Sequence, residues 1–394
     1  MKFTGKQEKN DTAPAVRLLD ELINRAYSIG ASDIHVEPFE TKTSIRLRLD
    51  GTMTEYKKLD KAVSAPLLTR IKILAELDIA ERRVPQDGHI RVLMGEEMLN
   101  IRVSVIPTVF GEKAVLRLLA EKTAIDYPQQ YGMKDQVYHR FEKLLQIPCG
   151  MIYLSGPTGS GKSTTLYMIL ERLAGNRQVN ISTIEDPVEK NVPGVNQMQV
   201  NNAAGLTFET GLRALLRQDP DILMIGETRD TQTASIAIRA AITGHLVFST
   251  LHTNDAVSSV IRLRDMGVEP YLISGALTGV IAQRLMRKVC PACSVLYEAS
   301  EDDNKIAGRQ LRMIRKAVGC PVCNHTGYRG RIAVHEVLIV DRKMRDLIVQ
   351  GASLEELKSY AVAGGMIPLK DAAAELVEQG ITTTEELKKT VYEL

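Results

Sequence analysis

The chain has 394 residues, 44% of them hydrophobic and 25% charged, with 50 basic against 48 acidic side chains for a formal net charge of +2. That length exceeds one ordinary core and predicts two or three domains. Near-neutral charge, no tryptophan and 5% aromatic residues leave neither the basic footprint nor the stacking platforms of a nucleic-acid-binding protein. The apolar runs are strand-sized, well short of the roughly 20 residues that span a bilayer. The opening Met-Lys-Phe-Thr-Gly-Lys-Gln-Glu-Lys-Asn has no apolar signal-peptide core, so a cytosolic chain is expected, brought to a membrane only by partners.

Val16, Leu19, Leu22, Ile23 and Ala26 recur at helical spacing and predict an amphipathic helix over 13–29. Asp33 to Glu37 reads as a strand. Ile45, Leu47 and Leu49 alternate with Arg46 and Arg48 ahead of Asp50-Gly51, which predicts a hairpin. Residues 63–79 read as a helix, and 98–105 and 112–119 as strands joined through Pro107 and Gly111. Residues 1–120 thus form a small α+β domain. The stretch 121–136, with Pro128, Tyr131 and Gly132, is the linker candidate.

From about 137 to 288 strand-like and helix-like runs alternate, the pattern of a parallel sheet with crossover helices. An apolar run, Met151 to Leu154, leads into Gly156-Pro157-Thr158-Gly159-Ser160-Gly161-Lys162-Ser163-Thr164, and a helix-like run, Thr165 to Leu170, follows. This is a complete phosphate-binding loop in its strand–loop–helix setting. Its glycines let successive N–H groups face an anion, and the helix dipole adds to them. Lys162 is expected on the β and γ phosphates and Ser163 on Mg²⁺; the chain binds a nucleoside triphosphate, ATP in this reading.

Two later strand candidates end in acids: Ile181 to Glu185, followed by Asp186, and Ile222 to Ile225, followed by Gly226-Glu227. Ligands of a parallel sheet sit at the carboxyl ends of its strands. Glu227 is therefore assigned to the metal and hydrolysis, and Glu185 to polarising water; the plain alternative is solvated or helix-capping acids. His245 and His252 flank the strand 246–249. Each is a structural histidine or a sensor of the γ phosphate, while Asn254 and Asp255 suit a helix cap.

Cys290-Pro-Ala-Cys293 and Cys320-Pro-Val-Cys323 form two knuckles. In a reducing compartment they predict one tetrahedral zinc, closed and structural, within a module over 288–325; a redox Cys-Pro-x-Cys pair is the alternative. Cys149 reads as a small buried residue. A strand over 332–340 then gives way to a helical region, 341–394, in which Ser353-x-x-Glu356 and Thr383-x-x-Glu386 are capping boxes.

Four of these segments together closely resemble the type II secretion and type IV pilus assembly ATPases. They are the phosphate loop, Ile184-Glu-Asp-Pro-Val-Glu189, the stretch Leu212 to Asp230, and Thr243-Gly-His-Leu-Val-Phe-Ser-Thr-Leu-His-Thr-Asn254. Ala31 to Pro38, Asp78 to Gly88, Gln283-Arg-Leu285 and the four cysteines extend the match over roughly 13–390. The resemblance implies a RecA-like ATPase domain over 137–394 behind a PAS-like domain. It also implies a hexameric cytoplasmic motor on an inner-membrane platform protein, with Arg102 and Arg117 of the first domain closing on nucleotide held between the domains. Guanidinium forks suit that task. The cysteines favour the secretion or extension side of the family. Thr228 stands where relatives commonly carry Ile, and the sequence lacks the large N-terminal domain of many secretion ATPases, which puts in doubt the membrane component that domain docks. A RecA-like DNA translocase or helicase with a zinc module is the alternative, opposed by the charge balance.

Overall fold

The computed structural model describes residues 14–95, 97–119, 133, 135–175 and 178–392. The chain divides into two compact units, residues 1–124 and 125–394. The linker expected at 121–136 lies mostly outside the described residues, of which Asp135 already opens a helix.

The first unit contains α1 (Pro14–Ser28), β1 (Asp33–Pro38), β2 (Lys42–Leu49), β3 (Thr52–Asp60), α2 (Ser64–Leu74), β4 (Gln86–Met94), β5 (Glu97–Thr108) and β6 (Gly111–Leu119). The strands form an antiparallel sheet in the order β3-β2-β1-β6-β5-β4. Period-two alternation puts Ile34, Val36, Ile45, Leu47, Ile101, Val103 and Leu116 into one core with Leu19, Leu22 and Ile23 of α1 and Leu67, Leu68 and Ile71 of α2. The β2–β3 hairpin turns through Asp50 and Gly51, both left-handed at φ 47° and 84°, the geometry a two-residue hairpin favours.

The helix expected to reach residue 79 stops at Leu74. Glu76 turns left-handed at φ 57°, and the Leu77 N–H returns to the Lys72 carbonyl at 2.9 Å. Lys72 itself is buried, its ammonium on Glu112 and, at 2.6 Å, on the Glu81 carbonyl. A buried ammonium must be paired, and this pairing folds the chain back after α2.

The second unit begins with α3 (Asp135–Leu145), β7 (Gly150–Ser155), α4 (Lys162–Ala174), β8 (Ile181–Glu185), β9 (Val195–Gln199), α5 (Phe208–Leu215), β10 (Ile222–Ile225), α6 (Thr231–Ile242) and β11 (Leu246–Leu251). It continues through α7 (Ser258–Asp265), α8 (Pro270–Ala276), β12 (Leu277–Val289), β13 (Val295–Glu298), α9 (Glu301–Ala307), β14 (Met313–Lys316) and β15 (Tyr328–Ile339). Four helices close it: α10 (Arg342–Val349), α11 (Leu354–Ala363), α12 (Leu369–Glu378) and α13 (Thr384–Tyr392). Seven strands form one sheet, β15-β12-β7-β11-β10-β8-β9, parallel except for β15 at one edge.

Strands covered on both faces read as unbroken apolar runs, and β7 and β11 are buried at every residue. Ile152, Leu154, Leu246 and Phe248 face one core with Phe141 and Leu144 of α3 and Leu166 and Leu170 of α4. Met151, Tyr153, Val247 and Leu251 face the other, with α6, α7 and the C-terminal helices. Ser353 and Glu356 make the reciprocal capping box at α11. At α13 only half of it forms. Thr383 accepts the Glu386 N–H at 3.3 Å, but the Glu386 carboxylate turns to Arg287. Cys149, expected to be buried, is exposed just before β7.

Phe141 is fully buried under the sheet. Phe141→Ala should cost the second unit about 3–5 kcal/mol, read from its transition in chemical denaturation; a loss below ~1 kcal/mol would mean that α3 does not anchor that core.

Candidate nucleotide site

In the parallel part of the sheet β7, β8, β10 and β11 all end at one edge, and the residues that follow them build the site. The phosphate loop runs from Gly156 to Gly161, and α4 starts at Lys162. Two of its glycines are required by one neighbour, Gln283 of β12. At Gly156 (φ 143°) a Cβ would lie 2.4 Å from the Gln283 carbonyl oxygen, and at Gly161 (φ 89°) 2.7 Å from its Nε2. Gln283, itself buried, donates to the Ser160 carbonyl at 2.9 Å and accepts from the Thr165 hydroxyl at 2.7 Å. The loop is thus clamped from outside before any anion arrives. No local sequence pattern betrays this clamp, because Gln283 lies 118 residues from Thr165.

Lys162 is buried, and its ammonium donates to the Gly156 and Pro157 carbonyls at 2.7 and 3.0 Å. Burial, aided by the Arg284 charge and opposed by Glu227, lowers its pKa to about 8. Pro157, Thr158, Gly159, Ser163 and Thr164 lie in the same loop and first helical turn. Ser163 and Lys162 are the residues that could hold Mg²⁺ and phosphate, and the left-handed glycines and helix start form an anion cradle that such groups fit.

Glu227, two residues past β10, carries an ion pair with Arg229, and its Oε2 lies 3.9 Å from Nε2 of His252, which follows β11. Burial first, then Lys162 and Arg229, lower the pKa of His252 against the opposing pull of Glu227. A neutral imidazole therefore stands beside the carboxylate. Glu185, the last residue of β8, is enclosed. Its Oε2 accepts from the Tyr167 hydroxyl, and its Oε1 accepts from Thr183 at 2.6 Å and Gln197 at 3.0 Å. The carboxylate assigned to polarising water is thus occupied by three protein donors. Tyr167, a residue of α4 with no sequence signal for a site role, also accepts the Glu189 N–H at 2.9 Å.

His245 is a correction. It precedes β11, and its carbonyl accepts the N–H of Gly150, the first residue of β7. It therefore lies at the amino edge of the sheet, opposite the phosphate loop, with Nδ1 2.9 Å from the Ala240 carbonyl. At roughly 3.3 Å per residue, a six-residue strand separates the two edges, and His245 is structural. Asp255 accepts the Ser258 N–H at 2.7 Å at the start of α7, whereas Asn254 instead accepts from Arg284 at 3.3 Å.

Arg102 and Arg117 belong to the first unit, where they face each other across β5 and β6. Arg117 bonds Asp33 at 2.9 Å, and Arg48 reaches the same carboxylate at 3.5 Å.

The four cysteines converge although 26 residues separate the pairs. Their sulfurs all lie within 4.8 Å of one another, with Cys290–Cys320 at 4.0 Å and both Cys293–Cys323 and Cys320–Cys323 at 3.8 Å. A tetrahedral ion with bonds of about 2.3 Å sets its sulfurs about 3.8 Å apart, whereas a disulfide needs about 2.05 Å. Backbone N–H groups of Gly319, Cys320 and Gly327 donate to Cys293 and Cys323 at 3.2–3.3 Å, which suits thiolates. The donor set fits a metal ion.

Residues 8–389 match the family described as "Type II/IV secretion system protein". The type II secretion system ATPase E of Vibrio cholerae is 45% identical over 390 residues, covering 98% of this chain and 77% of that one. The type IV pilus assembly ATPase PilB of Thermus thermophilus is 46% identical over 382 residues, 96% of this chain but 43% of the longer relative. Among solved structures, the pilus retraction motor PilT with bound ADP is similar at TM-score 0.65 and 26% identity, over 98% of this chain and 99% of that one. The Legionella pneumophila ATPase DotB, at TM-score 0.70, 21% identity and 98% of each chain, shares the fold.

Nucleotide binding through the Lys162 ammonium would depend on its charge. As pH rises through about 8 the free site loses that charge, so ADP affinity should fall by up to about tenfold per pH unit above 8. Calorimetric titration between pH 7 and 9.5 checks this, with Lys162→Met expected to bind weakly at every pH; a flat wild-type profile would refute it.

Proposed function

The chain belongs to the type II/IV secretion system protein family and is an ATPase of the secretion and pilus-assembly kind; we propose that it works as a hexameric motor at the cytoplasmic face of a membrane, where ATP hydrolysis drives assembly of a pseudopilus or pilus through a platform protein. No helix among the described residues is long and apolar enough to cross a membrane, so in this reading the partners supply the attachment. The observation that carries the chemistry is the meeting of Lys162, Glu227 and His252 at one sheet edge beside a pre-shaped phosphate loop. No observation favours the DNA translocase.

Within the site, Lys162 and the loop N–H groups would bind the phosphates of ATP, and Ser163 would hold Mg²⁺, which would offset phosphate charge. Glu227, the more open carboxylate, orients the attacking water from its strand end. His252, neutral and 3.9 Å away, holds Glu227 and reports on the γ phosphate. Glu185 reaches water only when its bond from Tyr167 yields. Arg102 and Arg117 are retained as guanidinium donors to phosphate, supported by their place side by side on the polar face of the first sheet. The four thiolates would hold zinc, and its binding would organise a module whose own sheet is the short β13–β14 ribbon.

Phosphate release from ATP–Mg²⁺ tests the assignment. Glu227→Gln should lower kcat about 100-fold or more while retaining ATP, Glu185→Gln should cost less, and specific activity of the parent should rise with protein concentration as rings form. Unchanged turnover in Glu227→Gln would sink the site assignment.

The metal reading has its own check. Protein purified without chelator should contain about one zinc per chain, and its removal should loosen residues 290–323 to proteolysis before the sheet unfolds. A folded, metal-free preparation would overturn it.

A further inference from the structure

Glu336, near the end of β15, is one of the few buried carboxylates of the second unit, and its role is not explained by the hydrolytic site. It is 4% exposed, and each oxygen accepts one backbone N–H from a different part of the fold. Oε1 takes Ala256 at 2.8 Å, in the segment that follows β11 and His252. Oε2 takes Leu369 at 3.0 Å, the first residue of α12. Leu369 follows Pro368 and opens a helix whose N-cap makes no side-chain hydrogen bond, so Glu336 does the capping from another element. Around it the same segment is tied twice more. Lys358 of α11 pairs with Asp255 at 2.7 Å, and Arg284 of β12 donates to the Asn254 carbonyl at 3.1 Å.

We propose that Glu336 is a positioning residue that couples the segment between His252 and Ala256 to the amino end of α12, so that the phosphate state sensed at His252 and Glu227 shifts the C-terminal helices. A carboxylate suits this task because it accepts on both sides at once. An amide in its place would turn a donor toward one of the two N–H groups and release that partner. Burying the carboxylate costs free energy, which the two N–H bonds and the cap on α12 offset. The coupling rests on the ATPase reading and extends it to the helices that lie behind the sheet.

Burial raises the Glu336 pKa to about 7, against the two backbone N–H groups and Lys358, with Asp255 adding to the rise. The charges that bear on it are Asp255 from the segment after β11 and Lys358 from α11; α12 offers N–H groups, and the facing position on β12 is Ala282. As pH falls through about 7 a proton converts one acceptor oxygen to a donor, and the bridge opens. Neighbouring His335, its pKa lowered to about 3 by burial, stays neutral across that range.

Hydrogen exchange of the full chain, with Mg²⁺ and either ADP or a non-hydrolysable ATP analogue, tests the bridge. At pH 8 exchange in the first turn of α12 should differ between the two nucleotides by about threefold or more. Glu336→Gln should abolish that difference while the analogue still binds within about twofold of the parent. The wild-type difference should also fade between pH 8 and 6. A difference that survives Glu336→Gln, or wild-type exchange indifferent to nucleotide, overturns the coupling. Should the variant not fold, the wild-type pH series decides alone, and a difference as large at pH 6 as at pH 8 overturns it. Failure of the wild-type chain to bind the analogue would instead refute the nucleotide reading.

Discussion

The contact on which the rest of the second unit depends is that of β12 against the phosphate loop. Gln283 approaches so closely that Gly156 and Gly161 tolerate no Cβ, and its amide closes bonds to the loop and to α4. The cradle is therefore held by a strand rather than by its own turn. A preformed cradle matters because ordering a flexible loop at the moment of binding would cost about 1–2 kcal/mol per residue. With the loop fixed, the parallel register sets where the ends of β8, β10 and β11 fall, and hence where Glu185, Glu227 and His252 stand.

That edge separates two carboxylates by environment. Glu185 is tied by Tyr167, Thr183 and Gln197, so its charge is spent on hydrogen bonds inside the protein. Glu227 keeps an ion pair with Arg229 and a neutral histidine at its side. Acids of the same type thus acquire different availability from which donors surround them, the usual route by which one site obtains distinct roles. The buried Lys162 completes the set: desolvation weakens its hold on a proton, and an arriving phosphate restores it.

Much of this was legible in the sequence because the signals are local. The phosphate loop sits between an apolar run and a helix; Glu185 and Glu227 end strands; the cysteine pairs carry knuckle spacing. Where the sequence misled, distance along the chain or strand polarity was at fault. His245 and His252 flank one strand and look equivalent, yet six residues of extended chain put them at opposite edges. Helix α2 stops early because Lys72 pairs with Glu112, 40 residues on. Strand β4 has few inward apolar residues to mark it, Ile90 and Val92 behind Gln86 and Gly88, and its pairing with β5 decides what propensity leaves open. Tyr167 and Gln283 were invisible as site residues for the same reason: each acts on a group brought to it by the sheet.

The C-terminal helices take their place from the same logic. An antiparallel edge strand is unusual on an otherwise parallel sheet only in its direction, but here that direction has a consequence. Because β15 runs against β12, the position opposite Ala282 is Glu336. The strand beside the clamp on the phosphate loop therefore carries the carboxylate that meets the segment after β11. Had β15 run parallel, its carboxyl end would have pointed toward the nucleotide edge, and the chain would have entered α10 there. Running back, it delivers the helices α10 to α13 to the core that contains Val257, Val260 and Leu263 beyond the histidine segment. Lys358 on Asp255, Arg264 on the Ala352 carbonyl at 3.1 Å and Glu336 on Ala256 then fasten one layer to the other through polar contacts at defined points. Apolar packing alone would hold the layers together without fixing their register; directional bonds at Asp255, Ala256 and Arg264 do fix it.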